Sequence, residues 1–296
     1  MADYQIFSDG ACDIGFANAE EWNIHLIPFY VSIDHEIYQK ELFELPLDTY
    51  YHAITEEKCY PKTSLPSIQD YIDAFRPALE EGRDILCITM TRTLTASMES
   101  AMTARTMLLE DFPNAKIHVL DSWLATGAQA LLLRELSRMQ KDGKSLEDAV
   151  AFAEKAKVDA RIHFIVGDLS YLEIGGRIGK VAALSGSLLK IKPLIILKDG
   201  EIGVGGICRS RKKGLSHLID QTVKHFQETG ENPADYFCTI GTTTIWEDIP
   251  AMEAALKEKL AFQYLPAFQI GATIATHTGP GTTGICFLKK YEAYGF

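Results

Sequence analysis

Short apolar runs recur through the first half of the chain, "YQIFSD", "IHLIPFYVSI", "DILCITMT" and "KIHVLDS", with stretches of helical spacing such as 67–81 and 95–110 between them. Strand-like and helical segments in strict alternation imply a parallel sheet with helices on both faces. This alternation constrains the fold more than any other feature, and it assigns the chain to the α/β class.

The pattern changes after a long helical stretch, 123–158, in which Leu146, Ala149, Val150 and Ala153 form an apolar stripe. There follow "RIHFIVGD", a glycine-rich segment, and "KPLIILKDGEIGVGGICRS", where Asp199-Gly200 between two strand-like runs signals a hairpin. A second stripe, Leu215, Leu218, Ile219, Thr222 and Phe226, marks a helix at 211–228, and another helix is expected at 247–262. The expected organisation is therefore two domains. Residues 1–160 form an α/β/α domain with a mainly parallel sheet, and residues 161–296 form a mixed α/β domain with hairpins.

Near the carboxyl end "THTGPGTTG", residues 276–284, spells G-x-G-x-x-G. In a dinucleotide site that spacing opens a helix and is followed about 20 residues later by an acidic side chain for the ribose. Only 12 residues follow Gly284, and they alternate like a strand. The match is fortuitous, and the segment reads as a glycine-rich turn between the strand-like runs "FQIGATIATHT" and "TTGICFLKK", with His277 at its mouth. No G-x-S-x-G or H-E-x-x-H occurs, and "GGRIGKV" lacks the hydroxyl and the leading glycine of a P-loop.

Composition narrows the partners. A net charge of −11 argues against nucleic acid, whose phosphates need a basic face. No apolar run approaches the roughly 20 residues of a membrane span, and the start "MADYQIFSDG" carries no basic region followed by an apolar core, so a cytoplasmic location is expected. The six cysteines have no C-x-x-C pair and sit mostly inside apolar runs, which fits buried thiols rather than zinc ligands or disulfides.

Three hydroxyl-rich turns stand out: "SDGACD" (8–13), "YPKTSLPS" (60–67) and "TRTLTAS" (91–97). A strand that ends in hydroxyls and feeds a helix offers free amides, a positive dipole end and side-chain donors, which together suit an anion. Standing alone, such a turn reads first as an ordinary helix cap, by Thr95 or Ser97 in the case of 91–97. At the ligand-binding edge of one parallel sheet the three would converge.

These residues resemble the DegV family of bacterial lipid-binding proteins. The resemblance rests on "SDGACDI", "PKTSLPS", "ITMTRTLTASMESA", "VLDSWLATGAQALL", "LEIGGRIGK", "KPLIILKDGEI" with "RSRKKGL", and "HTGPGTTG", in the family's order over nearly the whole chain. It implies a long-chain fatty acid in a tunnel between two domains, with no metal and no cofactor. The carboxylate would lie near Thr63 and Ser64, near Thr95, Ala96 and Ser97, and near His277. Some members present the acyl chain to a separate kinase subunit, and the family's motif arginines fall here at Arg177 and Arg209, the expected partner-docking residues. Two departures occur: Thr95-Ala96-Ser97 replaces Ser-Gly-Thr, placing a methyl where a headgroup approaches the backbone, and Gly10-Ala11-Cys12-Asp13 replaces Ser-Thr-Cys-Asp.

Burying a 16-carbon tail at about 0.8 kcal/mol per methylene would contribute ~12 kcal/mol before ordering costs, so the tail would dominate affinity and the headgroup would set register. The reading is a binding protein and not a catalyst. Its rival is a small-molecule hydrolase or phosphotransferase using His277 with Asp9 or Asp13, for which the sequence offers no strong nucleophile. The run Arg209, Arg211, Lys212 and Lys213 is also conspicuous. With Ser210 as N-cap, it places cations at the positive end of a helix, where they cost stability.

Overall fold

The computed structural model describes residues 4–184 and 192–296. Its first half runs β1 (Tyr4–Asp9), α1 (Gly15–Glu21), β2 (Ile24–Ile27), β3 (Tyr30–Ser32), β4 (Gln39–Lys40), α2 (Leu47–Thr55), β5 (Lys62–Ser64), α3 (Ile68–Glu80), β6 (Asp84–Thr89), α4 (Ser97–Asp111), β7 (Ile117–Asp121), α5 (Thr126–Lys141) and α6 (Leu146–Asp159). The strands β2, β1, β6 and β7 lie side by side in that order, all parallel. Strand alternation sends Phe7, Ile85 and Cys87 to one face, against Tyr71 and Phe75 of α3 and Ala104 of α4. It sends Ile6, Leu86 and Ile88 to the other, against Leu132 and Leu136 of α5. Burial on both faces is why these strands read as nearly continuous apolar runs.

Two expectations change here. The stretch 123–158 is two helices, because "DGKS" stops α5 and Ser145 caps α6 in a capping box with Asp148. The run "IHLIPFYVSI" divides at Pro28, which has no N–H to give a ladder. Its first part, β2, joins the parallel sheet, while β3 pairs antiparallel with β4 and β5 in a separate three-stranded sheet. Thr63 and Ser64 therefore sit on that small sheet, not at the end of a parallel strand.

The second half runs β8 (Arg161–Ile165), α7 (Ser170–Ile174), β9 (Lys192–Lys198), β10 (Glu201–Cys208), α8 (Arg211–Thr229), β11 (Tyr236–Thr242), α9 (Ile249–Lys259), β12 (Gln263–Tyr264), β13 (Phe268–Gln269), α10 (Ala272–Thr278) and β14 (Thr283–Lys289). Its mixed sheet has the order β10-β9-β8-β14-β11-β12, with β13 also beside β11. The hairpin turn is as expected: Lys198 pairs with Glu201, and Asp199 and Gly200 take φ of 53° and 77°, which glycine adopts at no steric cost. Helices α8 and α9 cover one face, with Leu218, Phe226, Met252 and Leu256 against Ile240 and Phe287. On the other face the core behind the parallel sheet continues through Ile162, Ile195, Cys286 and Leu288, so α5 and α6 lie between the two sheets.

The segment expected as a strand, "FQIGATIATHT", is only briefly one. After β13 it becomes α10, so His277 is carried by a helix, and "GPG" is a helix-to-strand turn rather than a hairpin. Among the described residues the cysteines form no disulfide and, Cys59 apart, are buried. No described helix is long and apolar enough to cross a membrane.

Candidate functional site

A cavity of about 230 Å³ lies between the two sheets, walled by residues of both halves. Most of the wall is apolar, including Phe29, Leu94, Ile162, Phe164, Leu197 and Ile274. Strand alternation accounts for part of it. On β8, Ile162 and Phe164 face the cavity, while His163 between them turns to α8 and meets Thr222 Oγ1 at 2.9 Å. On α10 the wall residues are Thr273, Ile274, His277 and Thr278, adjacent pairs one helical turn apart that share a face.

The polar residues of the wall include Thr126, Thr273, Thr278 and Thr282, and also one pair hydrogen-bonded to each other at the cavity surface. Thr63 Oγ1 and His277 Nε2 are 2.8 Å apart, and Ser64, Thr95 and Arg177 also line the cavity. The Nδ1 of His277 is buried without a hydrogen-bond partner. It lies against Gly175, where a Cβ would come within 2.2 Å of Nδ1, so the "GGRIG" segment can pass the ring only as glycine. Burial, aided by the Arg177 guanidinium, pushes the His277 pKa down to about 4, leaving the ring neutral near pH 7. Arg177 is anchored by donating to Leu94 O at 3.1 Å and Gly175 O at 2.6 Å. A neutral imidazole, a hydroxyl and a fixed guanidinium facing an apolar space make a site for one end of an amphiphile with an anionic head.

Other sequence-selected residues lie elsewhere. Ser97 is fully buried and does not line the cavity. Its hydroxyl donates to Asp9 Oδ2 at 2.7 Å, with Tyr71 Oη 2.6 Å away. Ala96 is exposed at the start of α4, also off the cavity wall. The hydroxyls of Thr91 and Thr93 donate to Gly200 O, fastening the second half's hairpin tip to the first half. Of the "TRTLTAS" hydroxyls only that of Thr95 belongs to a residue of the cavity wall.

Asp9 receives Met90 N at 2.8 Å and Gln129 Nε2 at 3.0 Å besides Ser97, and burial pushes its pKa up to about 6. Asp13 receives the Thr126 hydroxyl at 2.5 Å. Neither carboxylate is bonded to His277, whose bond goes to Thr63. Sequence reasoning missed Glu41, which is buried and receives Thr273 N at 2.9 Å and the Thr273 hydroxyl at the start of α10. No local signal marks it, because its partners are more than 200 residues away.

Arg209 is exposed beside a shallow surface groove with Lys213 and His217. Arg211 is not part of an open basic patch. It pairs with Asp248 at 2.7 Å, reaches Thr283 Oγ1 at 2.8 Å and donates to Gly281 O, so this cation at the start of α8 pins the "GPGTTG" turn. Ser210 caps α8 as expected. Among the described residues no group of three or more His, Cys, Asp and Glu side chains is arranged to hold a metal.

Comparison with known proteins gives a consistent result. A family model described as "Uncharacterised protein, DegV family" matches residues 3–290. A DegV domain-containing protein of Clostridium perfringens is 30% identical over 290 residues, 97% of this chain and 98% of its own. Among solved structures, a stearic-acid-binding protein from Eubacterium ventriosum superposes with a TM-score of 0.91 at 38% identity, covering 98% of this chain and 99% of its own. A fatty-acid-binding DegV family protein from Thermus thermophilus gives 0.85 at 26% identity, covering 97% and 99%.

Proposed function

The chain belongs to the DegV family, and on that premise we propose that it binds a long-chain fatty acid with its tail in the cavity between the sheets and its carboxylate at Thr63, Ser64, Thr95 and His277. The observation that carries this reading is a largely apolar cavity whose wall holds the Thr63–His277 bond, with the Arg177 guanidinium near enough to lower the His277 pKa. The likeness to the stearic-acid-binding protein of Eubacterium ventriosum supports the ligand class. Ser97 and Ala96 leave the ligand set, because Ser97 serves Asp9 and Ala96 faces outward.

Binding rather than catalysis fits the same site. A hydrolase built on His277 needs a carboxylate to orient the ring and a nucleophile within reach. Asp9 and Asp13 accept from Met90 N and the Thr126 hydroxyl, and neither is bonded to His277. Presentation of the bound acid to a kinase subunit is the finer part of the proposal, with exposed Arg209 as the docking residue and Arg177, on the cavity wall, serving the carboxyl end as well. The division into domains 1–160 and 161–296 belongs to the proposal too, the cavity being their meeting place.

Organic extraction of purified protein followed by mass spectrometry tests the reading. It should release close to one fatty acid per chain. Delipidated protein that neither carries nor takes up any long-chain acid would overturn it.

A further inference from the structure

The wall of the cavity near β13 is built around one ring. Phe268 pairs in register with Gly241 across β13 and β11. Its ring lies so close to two backbones that a Cβ at Gly241 would come within 2.5 Å of Cζ and one at Gly127 within 2.5 Å of Cε1. Gly127 is the second residue of α5, and Gly241 is the penultimate residue of the fully buried strand β11. Two elements from different halves have therefore given up their side chains at the points where this ring rests. The ring cannot retreat toward either backbone.

Phe268, Gly241, Cys286 and Ile270 all border the cavity. Phe268 lies four residues before α10 and His277 is its penultimate residue, so most of this seven-residue helix, roughly 10 Å long at 1.5 Å per residue, stands between the two in the chain. A tail anchored by its carboxylate at His277 meets a ring that is backed by glycine on two sides. We propose that Phe268 is the stop that sets the upper length of the acyl chain this cavity accepts, with Gly127 and Gly241 as its seat. The inference rests on the fatty-acid reading above.

Each methylene that gains a buried place is worth about fourfold in affinity. Removing the ring opens room at the far end, and a Cβ under the ring pushes it into the cavity. The two changes should therefore shift chain preference in opposite directions. The experiment uses delipidated full-length protein and competition among saturated acids of increasing length, with circular dichroism to verify folding. Phe268→Ala should move the preferred length upward, each added methylene gaining roughly fourfold until the new space is filled. Gly241→Ala should move it downward. Phe268→Leu, which keeps an apolar contact with the core, should shift the preference in the same upward direction by less and serves if Phe268→Ala does not fold. A uniform loss of affinity at all lengths, with the preference unchanged in Phe268→Leu and Gly241→Ala, would overturn the stop while leaving fatty-acid binding intact. Failure of the wild-type protein to bind any of the acids would instead overturn the binding reading itself.

Discussion

Ser97 and Thr63 come from turns that look alike in sequence, each a hydroxyl just before or within the entry to a helix, and the structure gives them opposite employment. Ser97 spends its hydroxyl on Asp9, a carboxylate of the chain itself, inside a fully buried cluster with Tyr71 and Gln129. Thr63 meets His277 at the wall of a cavity, where no carboxylate of the chain completes the set. One corner holds its own acid, and the other, in the function proposed above, receives an acid from outside. The difference teaches that a hydroxyl-rich turn reveals its role only through the partner that its fold supplies.

The comparison can be broken most forcefully at Asp9. Asp9→Ala leaves the Met90 amide, the Ser97 hydroxyl and the Gln129 amide buried without their acceptor. At about 1–3 kcal/mol for each orphaned donor, unfolding in urea should show a loss of at least ~3 kcal/mol. A loss under ~1 kcal/mol would mean that the cluster is not what secures this end of the parallel sheet.

Next in size is a crossed pair of variants. Ser97→Ala should cost about 1–2 kcal/mol of stability and leave fatty-acid affinity at the wild-type level, since Ser97 lies off the cavity wall. Thr63→Ala should do the reverse, weakening binding by roughly 1–3 kcal/mol with little change in urea midpoint, its hydroxyl being only partly buried. Equal effects of both on binding would erase the distinction between the corners.

A smaller effect sharpens the comparison from a third carboxylate. Burial pushes the Glu41 pKa from 4.5 up to about 7, because the folded chain must hold it at the start of α10 with no cation beside it among the groups that shift it. A group whose folded pKa is raised binds its proton more tightly in the fold. Its contribution is thus fully present below pH 4.5 and is lost as pH rises through about 7. Melting temperature of the wild type should accordingly fall more steeply between pH 5 and 8 than that of Glu41→Gln, by a few degrees for each kcal/mol involved. Parallel pH profiles would show that Glu41 is ionised in the fold throughout.

Much of this was legible in the sequence. The parallel sheet, the Asp-Gly hairpin and the capped start of α8 follow from spacing and turn chemistry, whereas the nearness of Thr63 to His277 was implied only by the family resemblance. The strand reading of "FQIGATIATHT" failed for a physical reason. Its β-branched Thr273, Ile274, Thr276 and Thr278 disfavour helix locally, and α10 has no side-chain cap from its own N-cap residue, Gly271. The missing acceptor is Glu41, from the other half of the chain. With a strand assumed, residues 273, 275 and 277 would share a face. As a helix, Thr273, Ile274, His277 and Thr278 do, and these line the cavity. Arg211 was unreadable for a similar reason, since the Asp248 and Thr283 that hold it are distant in sequence.

The central claim, that an external carboxylate belongs at Thr63 and His277 while Ser97 serves the chain's own acid, is tested most directly by comparing palmitate with its methyl ester. Titrations of delipidated wild type, Thr63→Ala and Ser97→Ala would give the acid-to-ester affinity ratio for each. The ratio should favour the acid in wild type and in Ser97→Ala, and should collapse toward unity in Thr63→Ala. A ratio that survives in Thr63→Ala but collapses in Ser97→Ala would contradict the account.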